Sequence, residues 1–258
     1  MKSEIIVITN QKGGVGKSTT AEALAEGLYI KGYNTLLIDL DPQGSVTSSS
    51  NANINKKTAY DLLTVTNDTD ITDVIQKQTN RADIIPAHEY LSRLDSELTK
   101  ASRAYRLKKK IEPIKSEYEY IIIDTPGSLS ILTINALNAA GSVIIPTQAD
   151  SYSLDGVEKL YDTIEDIMEN MNPSLKLHGI LLTRHNRTVL RRNMTESAAN
   201  IATKIGTFIY GTAIRECVAL EEAQRLKQTI YEYAPESNAA DDYTAFVNEF
   251  IERGGSSG

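Results

Sequence analysis

The sequence contains very little cysteine, since Cys217 is the single thiol in 258 residues. One thiol can form neither an internal disulfide nor a multi-thiolate metal site, so disulfide-stapled and cysteine-metal proteins are excluded. The sequence also has no apolar run approaching the roughly 20 residues that are needed to cross a bilayer. We therefore expect a cytosolic protein.

Positive charge is also in deficit, because 34 acidic residues outnumber 27 lysines and arginines and the net charge is -7. This balance argues against a uniformly basic nucleic-acid-binding protein, but it permits a local basic patch. Two clusters of cations occur along the sequence. They are Arg103, Arg106, Lys108, Lys109 and Lys110 in one segment, and Arg184, Arg187, Arg191 and Arg192 in another.

Short, continuously apolar runs alternate with helical patterns along the chain. The run at 5–8 leads into a glycine-rich loop and then a helical pattern from Lys17 to about Lys31. Similar runs occupy 35–39, 83–86, 120–124, 142–146 and 179–183. This alternation predicts an α/β fold, doubly wound, with a mostly parallel sheet and helices on both faces. We expect one domain over residues 1–253 and a flexible tail at 254–258.

The loop between the first strand and the first helix predicts a site for ATP and Mg²⁺. Its glycines allow a tight turn, so that backbone N–H groups and the positive end of the helix point at phosphate oxygens. Lys17 would reach the β and γ phosphates, and the Ser18 hydroxyl would ligate Mg²⁺. The predicted nucleotide-binding residues are Lys12, Gly13, Gly14, Val15, Gly16, Lys17, Ser18 and Thr19.

The loop departs from the general phosphate-loop pattern, which has glycine six residues before the lysine. Here Gln11 holds that position and Lys12 is added. With this departure, the loop resembles the deviant phosphate loop of the ParA/MinD superfamily, and the segment 37–44 resembles the second motif of the ParA family. The resemblance covers almost the whole chain, more loosely from 45 to 118. It continues at 123–127, 179–183, 187–188, 214–215 and 220–223.

The resemblance implies that the two lysines of the loop serve different nucleotides. Lys12 would cross to the nucleotide of the partner subunit, so that ATP is sandwiched in a homodimer, while Lys17 would bind the nucleotide of its own subunit. A lysine is a mobile point charge, and its contact with the partner's phosphates would couple dimer formation to the triphosphate.

The resemblance implies that three aspartates at predicted strand ends take part in ATP hydrolysis. By resemblance, Asp41 orients or activates the attacking water, while Asp39 and Asp124 hold the hydration shell of Mg²⁺. Gly127 is placed to donate a backbone N–H towards the γ phosphate, although a plain strand-to-helix turn would use the same residues.

The resemblance also implies nonspecific binding of double-stranded DNA by the ATP-bound dimer. Basic side chains bind phosphates without reading bases, and two copies of a patch on one dimer add avidity. The candidate DNA-binding residues are Arg187, Arg191, Arg192, Arg215, Arg225 and Lys227. The segment from Arg103 to Lys110 is either a solvated face or a second DNA patch.

Other branches of the superfamily fit less well. Iron-sulfur carriers need paired cysteines, which this chain lacks. The MinD branch ends in a basic amphipathic helix, whereas the segment 241–252 is acidic, so no membrane binding is expected. The phosphate loop begins near residue 10, which leaves no room for an N-terminal helix-turn-helix and favours the short type of partition ATPase.

The sequence thus predicts a ParA-like ATPase for plasmid or chromosome partition, cytoplasmic and associated with the nucleoid. Its Mg²⁺-dependent hydrolysis would be slow until a ParB-type centromere-binding protein stimulates it. Two alternatives remain open. One is a ParA relative that positions a protein cargo on the nucleoid, and the other is a metabolic enzyme of the same fold that uses ATP to activate a carboxylate.

Overall fold

A seven-stranded sheet forms the centre of the fold. The computed structural model describes residues 3–66, 68–98, 101–185 and 189–254, without the side chains of 101–102, 151 and 189–194. The strands are β1 Glu4–Ile8, β2 Thr35–Asp39, β3 Asp83–Ile85, β4 Tyr120–Asp124, β5 Ser142–Gln148, β6 Lys176–His185 and β7 Ile209–Arg215. Their spatial order is β3-β2-β4-β1-β5-β6-β7, and all neighbouring strands run parallel.

Helices connect these strands. They are α1 Lys17–Ile30, α2 Ser45–Ser49, α3 Ala59–Leu63, α4 Leu94–Glu97, α5 Arg106–Ile111, α6 Ile131–Ala139, α7 Ser151–Asn170, α8 Val189–Lys204, α9 Val218–Arg225, α10 Ile230–Tyr233 and α11 Asn238–Glu252. Short 3-10 helices occupy Ile71–Asp73, Glu89–Arg93, Ala101–Tyr105 and Glu112–Ile114. The predicted first helix is confirmed, and it begins at the residue that follows the last glycine of the loop.

Alternating side chains of β1 enter two separate hydrophobic clusters. Ile6 packs in the cluster that contains Leu24 of α1 and Phe246 of α11. Val7 packs in the other cluster, which contains Leu137 of α6. Successive side chains of a strand point to opposite faces, so helices cover both faces of the sheet. The predicted doubly wound α/β fold is therefore confirmed.

The carboxyl ends of the central strands meet at one edge of the sheet. Asp124, the last residue of β4, pairs in register with Asp39 of β2 on one side and with Ile8 of β1 on the other. The loops that follow these three strands therefore leave the sheet side by side, which is where parallel α/β folds place their ligands.

Both lateral edges of the sheet carry additional hydrogen bonds. At β7, the Glu249 carboxylate of α11 accepts the N–H groups of Gly211 at 2.8 Å and Thr212 at 2.9 Å. At β3, Ile84 exchanges two backbone hydrogen bonds with Gln76, at 2.7 and 3.1 Å. Backbone groups that a bare edge strand would expose are thus occupied at both edges.

Candidate active site

The glycine-rich loop has the backbone conformation that its sequence predicts. Gly14 and Gly16 have φ angles of 73° and 83°, in the left-handed region that a residue with a Cβ enters at a cost. Gly16 is also the N-cap of α1, and no side chain caps the helix there. The first N–H groups of α1 and the positive end of its dipole are therefore available to an anion.

Polar side chains of the neighbouring strands hold the loop in place. The Thr183 hydroxyl at the end of β6 donates to the carbonyl oxygen of Val15 at 2.8 Å, and the Gln148 amide donates to the carbonyl oxygen of Gly14 at 3.1 Å. Asn10 donates to the carbonyl oxygen of Pro146 at 2.8 Å and accepts the Lys12 N–H at 3.0 Å. The loop is consequently fixed to β5 and β6 as well as to its own strand and helix.

Lys17 is a buried lysine that points back across this loop. Its ammonium group donates to the carbonyl oxygen of Lys12 at 3.3 Å, and a Cβ placed on Gly127 would lie 3.5 Å from the Lys17 Nζ. Burial lowers the pKa of Lys17, while the charges of Asp124 and Asp41 oppose that change. The cation therefore lies in a partly desolvated position where an anion would bind it strongly.

Asp124 is a buried carboxylate whose oxygens have no hydrogen-bond donor among the described residues. Burial raises its pKa well above the ordinary value, and the neighbouring charge of Asp39 adds to this, whereas the nearby Ser18 hydroxyl lowers it. A buried carboxylate whose one nearby donor in the described part of the chain is the Ser18 hydroxyl has lone pairs free for a cation or its water ligands. The residues therefore fit Mg²⁺, which takes few protein ligands and completes its shell with phosphate oxygens and water.

Asp39 differs from Asp124 because its oxygens already accept hydrogen bonds. Its Oδ2 accepts the N–H and the hydroxyl of Thr47 at 2.8 and 2.7 Å, and its Oδ1 accepts the Asp41 N–H at 3.0 Å. Burial raises the pKa of Asp39 to about 6, against the effect of these hydrogen bonds. This arrangement fixes the turn after β2 and aims it at the loop, and it leaves Asp39 fewer free lone pairs than Asp124.

Asp41 is half-buried in that turn. Its Oδ1 accepts the Gln43 N–H at 3.0 Å, and its charge acts on Lys17, Asp39 and Asp124. A carboxylate that lies near Lys17 and is still accessible is compatible with the predicted activation of water. Its role in catalysis stays a prediction.

Lys12 lies on a different side of the loop from Lys17. Its ammonium group donates to both oxygens of the Asp150 carboxylate at 3.1 Å and to the Ser153 hydroxyl at 2.7 Å. Asp150 is also the N-cap of α7, where it accepts the Ser153 N–H at 2.9 Å. Lys12 is about one third exposed in this contact, so the two lysines of the loop face separate environments within one subunit.

Comparison with known proteins identifies the family of the chain. A family model described as an AAA domain matches residues 3–177. The sporulation initiation inhibitor protein Soj of Bacillus subtilis is 39% identical over 97% of this chain and 99% of its own. The chromosome partitioning protein ParA of Myxococcus xanthus is 37% identical over 96% of this chain and 88% of its own. The chain belongs to the ParA family.

Two solved structures similar to this ParA-family chain contain bound nucleotides. Cobyrinic acid a,c-diamide synthase of Mycobacterium smegmatis, with bound ADP and magnesium, matches with a TM-score of 0.83 and 28% identity, covering 98% of this chain and 96% of its own. A putative plasmid partition protein of Borrelia burgdorferi, bound to AMPPNP, matches with a TM-score of 0.80 and 27% identity, covering 98% of both chains. The fold is thus shared by proteins named for synthesis and for partition.

The predicted DNA-binding residues of this ParA-family chain fall in three positions. Arg187 lies outside the described residues, and Arg191 and Arg192 lie on α8, where side chains are not described. Arg215 ends β7, and its guanidinium group forms an ion pair with Asp242 at 2.7 Å. Arg225 ends α9, and Lys227 follows it with a φ angle of 56°. The last two cations therefore belong to one short segment.

Most cations of the basic segment from Arg103 to Lys110 form hydrogen bonds or ion pairs within the subunit. Arg106 donates at 2.6 Å to the carbonyl oxygen of Thr64, the C-cap residue of α3. Lys110 contacts the Asp68 carboxylate at 2.7 Å, and Arg103 donates to the carbonyl oxygen of Glu97. These contacts favour a structural role for this segment, because cations near helix ends and free carbonyls stabilise them.

The sequence interpretation missed several residues of the site. Asp150 and Ser153, which hold Lys12, carry a detectable local signal, since Asp150 lies at a strand end and precedes a helix as an N-cap residue would. Thr47 and Thr183 carry no such signal, because their partners Asp39 and Val15 are defined by tertiary structure. In the part of the chain that is described, no helix has the length and apolar character to span a membrane.

Proposed function

We propose that this ParA-family chain is a Mg²⁺-dependent ATPase that acts as a DNA-partition switch. The observation that carries the proposal is that the two lysines of the loop lie in different environments. Lys17 is buried beside the acids of its own subunit, whereas Lys12 is partly exposed and held by α7. A lysine that is not needed within its own site is available to a second nucleotide.

The triphosphate would bind along the loop and the start of α1. The uncapped N–H groups of the helix and the Lys17 cation supply the positive potential, and Gly127 brings its backbone close to that cation. Ser18 and Asp124 would hold Mg²⁺, with Asp39 supporting the turn that carries Asp41. When bound, Mg²⁺ supplies charge that neutralises the phosphate oxygens during phosphoryl transfer.

Dimerisation would follow from an exchange of partners by Lys12. In the single subunit, Asp150 and Ser153 satisfy its ammonium group. In the dimer, the phosphates of the partner subunit's ATP replace them, with more negative charge than one carboxylate provides. Asp41 would then orient a water for in-line attack on the γ phosphate, and loss of that phosphate removes the contact that holds the two subunits together.

The output of the switch would be nonspecific binding of double-stranded DNA by the ATP-bound dimer. A chain with a net charge of -7 binds DNA weakly through one basic patch, and a dimer doubles the patch. The candidate cations remain Arg187, Arg191, Arg192, Arg215, Arg225 and Lys227. We propose a ParB-type centromere-binding protein as the partner that stimulates hydrolysis, and a cytoplasmic, nucleoid-associated location.

The test compares DNA binding and hydrolysis in defined nucleotide states. Purified protein is titrated with a nonspecific DNA duplex in ATP, ADP or no nucleotide, each with Mg²⁺, and its mass is measured by light scattering. We expect a dimer and DNA binding with ATP only, and slow hydrolysis that DNA and a cognate ParB-type partner together accelerate. A Lys17→Ala variant is the control for nucleotide binding.

Three outcomes would contradict the proposal. Equal DNA affinity in ADP and ATP would show that the nucleotide does not control DNA binding. Fast turnover of ATP with a small carboxylic acid and without DNA would instead favour the carboxylate-activating enzyme. A normal ATP dimer and DNA binding, combined with stimulation by a cargo adaptor and not by a centromere-binding protein, would favour the positioning of a protein cargo.

A further inference from the structure

One short helix, α9, touches the phosphate loop directly. The Gln224 side-chain amide donates to the Thr19 hydroxyl oxygen at 3.1 Å. Thr19 lies in the first turn of α1, next to Ser18, and a hydroxyl that accepts one hydrogen bond can still donate its own proton. A phosphate bound at the loop and the amide of α9 can therefore share this hydroxyl.

A second connection reaches α9 through Arg81, in the loop before β3. Its guanidinium group donates to the carbonyl oxygen of Ser49 at 3.3 Å, to that of Lys227 at 3.4 Å and to the Glu232 carboxylate at 2.9 Å. Ser49 ends α2, the helix that also carries Thr47, the donor to Asp39. Arg81 thus joins α2, which carries the Thr47 donor to Asp39, to Lys227, two residues after the end of α9.

The apolar packing of α9 is limited to Ala223 and to the partly buried Ala219 and Leu220, which pack against the cluster that contains Leu24. Ala223 is its one fully buried residue, while Val218 is 71% exposed and Leu226, just after the helix, is 59% exposed. A small cavity lies between α9 and α1, lined by residues that include Glu22, Leu220 and Gln224. With little apolar area to fix it, the position of α9 depends on its polar contacts.

We propose that α9 transmits the nucleotide state of the loop to the DNA-binding surface, with Gln224 and Arg81 as positioning residues. The same helix ends in Arg225 and is followed by Lys227, so a small movement relocates two candidate DNA contacts. Gln224 would respond to bound phosphates through its hydrogen bond with Thr19. Arg81 would respond to the turn that holds Asp39 through its hydrogen bond with Ser49 of α2. This inference rests on the proposed DNA switch, and it places part of that switch within each subunit.

The central experiment measures coupling between nucleotide and DNA. For each variant, the dissociation constant for DNA is determined with ADP and with ATP, together with ATP affinity, dimer mass and melting temperature. Gln224→Leu removes the amide donor at similar volume, and Arg81→Lys keeps the charge but removes the planar fork. Val218→Ala, on the exposed side of the same helix, is the matched control.

We expect Gln224→Leu and Arg81→Lys to bind ATP and dimerise as the wild type does, and to lose about tenfold in the ratio of ADP to ATP dissociation constants for DNA. Val218→Ala should keep the wild-type ratio. A double variant whose loss equals that of the single ones would indicate one shared movement. Unchanged ratios in both single variants would overturn the inference, even where the DNA switch itself operates.

Hydrogen exchange on the wild type provides a readout that does not depend on DNA or on a folded variant. Amides of 218–227 should exchange more slowly with ATP than with ADP, while those of α11 should not change. Identical exchange at 218–227 in the two states would overturn the role of α9. If α9 responds to the nucleotide but the DNA affinity of the wild type is the same in ATP and ADP, the proposed DNA switch is refuted, together with the transmission to the DNA-binding surface, and only the response of α9 to the nucleotide remains.

Discussion

Replacing Glu22 by glutamine is expected to stabilise the protein above neutral pH and to change its stability little in acid. Glu22 lies on α1, is 6% exposed, and its Oε1 has no hydrogen-bond donor in the described part of the chain. Burial raises its pKa from 4.5 to about 7, although Ser49 and the Arg81 charge lower it and Glu232 and Asp39 raise it. The buried side chain is therefore most favourable when protonated.

The sign follows from proton binding in the two states. Below pH 4.5 the glutamate is protonated in both the folded and the unfolded chain, and the stabilising neutral form is fully present. As the pH rises towards about 7, the unfolded state loses its proton first, so the free energy of unfolding decreases until the folded state ionises as well. The gap between a pKa of 4.5 and one of about 7 corresponds to about 3 kcal/mol at high pH.

The assay is urea unfolding of the wild type and of Glu22→Gln at intervals from pH 4 to pH 9. Glutamine also loses the attraction of the carboxylate to Arg81, so we expect a net gain of about 1 to 3 kcal/mol at pH 8.5 that vanishes near pH 4.5. Glu221→Gln, an exposed glutamate on α9, is the control and should show no such trend. Parallel stability curves for the wild type and Glu22→Gln would refute the reasoning.

Four further predictions concern the loop and its neighbours. Lys12→Ala should bind ATP but fail to dimerise in light scattering, and a wild-type dimer affinity would remove its assigned role. Asp150→Asn keeps an N-cap residue but weakens a half-exposed ion pair, so the ATP concentration for half-dimerisation should fall about two- to threefold, and a rise would contradict this. Asp41→Ala should form a stable ATP dimer without phosphate release, whereas loss of ATP binding would indicate a structural role. Gly16→Ala, at a φ of 83°, should cost about 1 to 2 kcal/mol in urea unfolding and weaken nucleotide binding, and an unchanged affinity would argue against the loop geometry.

Local sequence patterns explain why the phosphate loop and the sheet could be predicted. Glycines at positive φ, the apolar strand runs and the aspartates at strand ends are each visible within a few residues. The strand-end rule also correctly brings Asp39 and Asp124 together, because parallel strands in register end side by side. What these patterns cannot distinguish is which aspartate keeps free oxygens, since that depends on Thr47 and on burial.

Contacts between distant segments account for what the sequence did not reveal. Asp150 is 138 positions from Lys12, and Gln224 is 205 positions from Thr19, so no local spacing signals either pair. The sequence also did not show that cations of the basic segment from Arg103 to Lys110 are used for contacts within the fold. A cluster of cations looks exposed in sequence, yet Arg106 and Lys110 point to carbonyl oxygens that only the fold brings near them.

The occupied edges of the sheet restrict how this chain can build larger assemblies. Proteins with a bare edge strand can polymerise by adding the strand of a neighbour, which produces a continuous intermolecular sheet. Here Glu249 covers the N–H groups of Gly211 and Thr212 at β7, and Gln76 pairs with Ile84 at β3. These contacts disfavour assembly by strand addition at the covered positions, and they favour oligomers or filaments that grow through loops and helix faces.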